Sequence, residues 1–134
     1  MFKITIFGDS ITNGYGMGKR DRILKERIEE KRPDISVALH GINGEDSYDA
    51  LYRIKYVQEE KADLNFVFFG ANDASPYHLI RPNEYQANLT KIVTELGADK
   101  TVLLTPPYYN ETEPTHYSKL SEVKLFRQAL LELA

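Results

Sequence analysis

The sequence has 134 residues, enough for one domain with a single buried core. Hydrophobic residues make up 42% and charged residues 28%, the formal net charge is −3 with both signs mixed along the chain, and cysteine is absent. That balance points to a soluble globular protein and excludes disulfides, thiol catalysis and the concentrated basic face that binding to nucleic acid requires.

The first apolar run, residues 2–7, begins at the N-terminus. It lacks the basic start, long apolar stretch and small-residue cleavage site of a signal peptide. No run approaches the ~20 residues needed to cross a membrane, so a cytoplasmic location is expected. Further apolar runs follow at residues 35–40, 64–69 and 101–105. Each is rich in β-branched or aromatic residues and nearly continuous, as buried strands are. Helical spacing fills the intervals. Residues 19–32 carry Ile23, Leu24 and Ile28 on one face and stop at Pro33. Leu51, Ile54 and Val57 mark a second stripe, and Tyr85, Leu89, Ile92, Val93 and Leu96 a third, closed by Gly97. Residues 118–134 place Leu120, Val123, Leu130 and Leu133 on one side. The resulting order, β-α-β-α-β-α-β-α, predicts right-handed crossovers and a parallel sheet with helices on both faces.

In such a sheet, ligands bind outside the carboxyl ends of the strands. Four short blocks sit there: Gly8-Asp9-Ser10, Gly41-Ile42-Asn43-Gly44-Glu45-Asp46, Gly70-Ala71-Asn72-Asp73 and Thr105-Pro106-Pro107. A serine at a strand-to-helix turn presents its hydroxyl in a cleft. Acyl transfer also needs N–H donors aimed at the oxyanion formed during attack. A glycine allows close backbone approach, and an asparagine side chain offers a donor. Ser10, Gly44 and Asn72 therefore become candidates for one site. Taken singly, each has a plainer role, as a helix cap or a turn residue.

Together the blocks resemble those of the SGNH (GDSL) hydrolases, a family of lipases, esterases and thioesterases. The resemblance implies a three-layer α/β/α flavodoxin-like sandwich with a parallel sheet. It also implies hydrolysis of a carboxylic ester or thioester by Ser10 as nucleophile, with Gly44 and Asn72 as oxyanion donors. It calls for a small-molecule substrate and for neither metal nor organic cofactor. Asp9 and Asp73 are read as turn acids binding nearby backbone N–H groups.

The family carries its acid and base in a later Asp-x-x-His block, and no Asp-x-x-His occurs in these 134 residues. The sequence is therefore expected to be one domain, 1–134, that is incomplete at its C-terminal end. It holds four strands and lacks the following strand and helix. Of the three histidines, His40 reads as structural and His78 as a residue of the cleft. His116, three residues after Glu113, is an internal substitute for the base. Tyr15, Tyr77, Tyr108 and Tyr109 fall in loops near the expected mouth of the site. The run 101–105 is expected to form an unprotected edge that invites self-association. Two rival readings remain: a non-catalytic module that binds an ester or glycan, and a flavodoxin-like binding domain. The glycines of residues 14–18 satisfy neither phosphate-loop pattern: Asn13 and Arg20 break the Walker A spacing, and the third glycine comes one residue early for a dinucleotide fingerprint.

Overall fold

The computed structural model describes residues 1–14, 23–107 and 119–134. Four parallel strands form one sheet: β1 (Phe2–Gly8), β2 (Ile35–Gly41), β3 (Leu64–Phe68) and β4 (Thr101–Leu103), in the spatial order β2-β1-β3-β4. The helices are α1 (Ser10–Asn13), α2 (Ile23–Lys31), α3 (Ser47–Leu51), α4 (Ile54–Glu59), α5 (Pro82–Leu96) and α6 (Leu120–Leu131). Register is tight at the top of the sheet. Gly8 of β1 pairs with Gly41 of β2 and with Phe68 of β3, so the first two blocks start at one level and the third begins two residues beyond it.

Alternation along the strands sends side chains to two faces. Phe7, Val67 and the adjoining Phe69 enter the larger core, beneath Ala50, Ile54, Val57, Tyr85, Leu89 and Ile92. Ile4, Ile6 and Val37 point the other way, against Leu24 and Ile28 of α2. Helices therefore lie on both faces, which makes the three-layer α/β/α sandwich. Even the polar pair on the central strands is matched: the Thr5 hydroxyl donates to Asn65 Oδ1 at 2.5 Å, and both residues are buried.

Two differences from the sequence reading follow. The stripe through Leu51, Ile54 and Val57 belongs to two short helices, because the chain turns between α3 and α4 at Tyr52 and Arg53. The α6 face buries Val123, Phe126, Ala129 and Leu130, with Leu133 packed against the same core, so Phe126 and Ala129 join the expected stripe. Gly97 ends α5, its N–H donating to the Val93 carbonyl at 2.8 Å, with φ 102° and ψ 118°.

Two grooves flank the sheet. One, of about 460 Å³, lies beside β4 between α5 and α6 and is lined by Val93, Leu103, Leu130 and Leu133. The other, of about 540 Å³, lies between α2 and the sheet and is lined by Ile6, Ile11, Leu24 and Phe66. Neither wall includes Ser10, Gly44 or Asn72.

Candidate active site

Ser10 opens α1 directly after β1. The cap of that helix is Asp9, whose Oδ1 accepts the Ile11 N–H at 2.9 Å. The plainer reading of Ser10 as a capping residue is thus taken over by its neighbour. Ser10 itself is half-buried, and its hydroxyl makes no hydrogen bond to a described residue. α1 then packs against the end of β2. A Cβ on Gly41 would come within 2.7 Å of the Asn13 nitrogen and 2.9 Å of the Asp9 carbonyl oxygen. Only glycine permits that approach.

The second block rises above this contact. The Asn13 side-chain amide donates to Asn43 Oδ1 at 3.1 Å, joining the Ser10 turn to the Gly44 turn. Gly44 is exposed at φ 79°, a left-handed conformation that favours glycine. Asp46 ends the turn as the N-cap of α3, where it and Asp49 form a reciprocal capping box.

The third block closes the arrangement. Asn72 is 4% exposed, and its Nδ2 donates to the Glu45 carbonyl at 2.9 Å. Asp73 reaches across to α3. It accepts the Ser47 N–H at 3.0 Å and the Ser47 hydroxyl at 2.5 Å, and Asn88 Nδ2 donates to that same hydroxyl at 3.0 Å. Asp73 is therefore no local turn acid. It ties the third strand end to the helix that follows the second. The structure thus gathers the Ser10, Gly44 and Asn72 blocks at one edge of the sheet.

Burial dominates the electrostatics. The Asp9 carboxyl is pushed up to about 6 by burial, against the opposing pull of the Ile11 N–H and its own N–H. Its Oδ2 has no hydrogen-bond partner among the described residues. Burial likewise pushes Asp73 up to about 7, with the Ser47 hydroxyl and N–H pulling the other way. Tyr85, fully buried, has its phenol held far above its usual range by desolvation, and it donates to the Phe69 carbonyl at 2.6 Å. Among the described residues, no three His, Cys, Asp or Glu side chains group as a metal site.

Sequence reasoning missed two features here. His78 Nδ1 and Asp46 Oδ2 lie 2.8 Å apart, a contact 32 residues long in sequence. Arg53 threads back beneath the second block to Glu45, His40 and Gly8. No motif announces either, because both are made by the fold. His40 Nε2 lies 3.0 Å from Glu60 Oε1. Tyr77 is 81% exposed on the loop after Asp73. Tyr15, Tyr108, Tyr109, Glu113 and His116 lie outside the described residues.

A model of the GDSL-like lipase/acylhydrolase family matches residues 6–134. The chain belongs to that family. Its fold agrees with solved structures of GDSL-like and related hydrolases. The lipase/acylhydrolase from Enterococcus faecalis superposes with a TM-score of 0.91 at 32% identity, covering 99% of this chain and 71% of that one. The psychrotrophic esterase EstA from a Pseudoalteromonas species gives 0.76 at 23% identity, covering 99% and 72%. The acetyl xylan esterase AlAXEase gives 0.80 at 22% identity, also covering 99% and 72%. No curated protein matches the chain in sequence. Ester hydrolysis is thus the family-level chemistry of this GDSL-like chain. Among the described residues, no helix is long and apolar enough to cross a membrane.

Proposed function

We propose that the chain is the nucleophile-bearing part of a serine acylhydrolase acting on carboxylic esters or thioesters. Ser10 Oγ attacks the substrate carbonyl and gives up its proton to a base. The tetrahedral oxyanion is held by the N–H groups of Ser10 and Gly44 and the Asn72 side chain. Collapse of the intermediate expels the alcohol or thiol with a proton and leaves an acyl-Ser10 ester. Water then cleaves that ester, releasing the acid and restoring the hydroxyl.

The observation that carries this reading is the hydrogen bond from Asn72 to the Glu45 carbonyl, one residue beyond Gly44. It brings two candidate donors, from strand ends 28 positions apart in number, to the same turn. The Asn13–Asn43 bond brings the Ser10 turn to that turn from the other side. The base comes, by the family resemblance, from an Asp-x-x-His block that these 134 residues do not contain. The direct test is Ser10→Ala in a version that continues through such a block. Turnover of p-nitrophenyl acetate should vanish while the circular dichroism spectrum stays unchanged. Near wild-type turnover by the mutant overturns the assignment.

A further inference from the structure

Arg53 sits between α3 and α4, where a surface arginine would ordinarily turn to water. Its side chain is instead 13% exposed and points under the second block. Nε donates to Glu45 Oε2 at 2.6 Å, Nη1 to the His40 carbonyl at 3.3 Å, and Nη2 to the Gly8 carbonyl at 3.2 Å. The guanidinium carbon lies 5.0 Å from the centre of the Phe7 ring, and Phe7 is fully buried. One planar group thus reaches the end of β1, the end of β2 and the turn that carries Gly44.

Its two most telling acceptors flank the candidate chemistry. Gly8 is two residues before Ser10, and its carbonyl also accepts the Ile42 N–H at 3.3 Å. Glu45 is one residue after Gly44, and its own carbonyl holds Asn72 Nδ2. We propose that Arg53 is a positioning residue for the oxyanion side of this site: by fixing Glu45 and the Gly8 carbonyl together, it sets the Ser10 turn against Gly44 and Asn72. The inference rests on the reading of Gly44 and Asn72 as oxyanion donors. An arginine suits the task and a lysine does not, because only the rigid fork can meet several acceptors in fixed directions at once.

The test is hydrogen–deuterium exchange read by mass spectrometry on the wild-type chain, Arg53→Met, Arg53→Lys and Glu45→Gln. Arg53→Met removes charge-assisted hydrogen bonds, so it should speed exchange roughly tenfold or more in peptides covering residues 8–14 and 41–46. Peptides of α5 and α6 should keep their protection. Arg53→Lys should resemble Arg53→Met, and Glu45→Gln should loosen residues 41–46. In a turnover-competent longer version, Arg53→Lys should lower kcat about tenfold with KM nearly unchanged. Unchanged exchange in the two loops, or an equal rise everywhere, overturns the proposal and leaves Arg53 a stabilising residue only. If Arg53→Met does not fold, Arg53→Lys and Glu45→Gln decide by the same comparison. Retained turnover in Ser10→Ala would instead sink the acyl-enzyme reading, and the exchange map does not depend on that result.

Discussion

At the residue scale, the site divides into groups readable in a short motif and groups that only folding brings together. Ser10, Gly44 and Asn72 stand out because each lies in a short block at a strand end, where local backbone chemistry limits the residue types. Arg53 reaches Gly8 from 45 residues away, and Asp73 reaches Ser47 from 26. No local pattern encodes such contacts, so Asp73 reads in sequence as a turn acid and nothing in the sequence singles out Arg53. Asn72 is also held on one side by the Glu45 carbonyl, so its remaining role in the proposed reaction is separable by kinetics. Asn72→Ala should lower kcat by ~10²–10³ with a smaller effect on KM; a change confined to KM would make Asn72 a ground-state binding group. Burial of Asp9 and Asp73 adds a dependence on pH. Their folded-state values, about 6 and about 7, stand above the ordinary 3.8. The stability they contribute is complete below pH ~4 and is lost as pH rises through those folded values. The melting temperature should therefore rise as pH falls from about 8 to about 5, and Asp73→Asn should flatten that slope. Below that window Glu29, Asp34 and Glu60, all shifted down by cationic partners, act in the opposite direction. A wild-type melting temperature that is flat or falls between pH 8 and 5 contradicts this account.

At the element scale, the strands are the legible part. Their near-continuous apolar runs reflect burial on both faces, and all four runs match the strands to within a residue or two. The helices are harder, because helical stripes fade where an element is short. α3 and α4 together span residues 47–59 with a break between them, and a stripe of three apolar residues cannot show that break. Phe126 belongs to the same face as Val123, Leu130 and Leu133, but the sequence reading marks that face by its aliphatic residues alone. Phe126 is 1% exposed and packs edge-on against Tyr85, with ring centroids 5.3 Å apart. Phe126→Ala should cost ~3–5 kcal/mol, read by urea denaturation. A loss well under 1 kcal/mol would show that α6 contributes little to the core. β4 lies at the end of the strand order, with Val102 36% exposed. An edge of this kind pairs readily with another chain. The 134-residue chain should therefore run as a dimer or larger species in sedimentation, and a monodisperse, cooperatively melting monomer would argue against it.

At the scale of the whole molecule, the sheet order and the level pairing of Gly8, Gly41 and Phe68 bring three strand ends together, and in the proposed reading these carry the nucleophile and the oxyanion donors. The proton-transfer side is supplied, in the proposed reading, by a block outside these residues. Losing a member of a catalytic triad leaves only ~10³–10⁴-fold catalysis over water in other serine hydrolases. The 134-residue chain should accordingly show little esterase activity, and a version continuing through an Asp-x-x-His block should be fully active. Robust turnover by the short chain that disappears with His116→Ala, or with His78→Ala, would place the base within it. His78 merits that control because Asp46 already holds its Nδ1. The central claim is that Ser10 is an activated nucleophile, and covalent labelling tests it most directly. A fluorophosphonate treats an activated serine as substrate: the serine oxygen bonds to phosphorus and fluoride leaves. Peptide mapping of the labelled longer version should find one adduct, on Ser10, and none after Ser10→Ala. An adduct on another residue, or no adduct from an enzyme that turns over esters, would contradict the account.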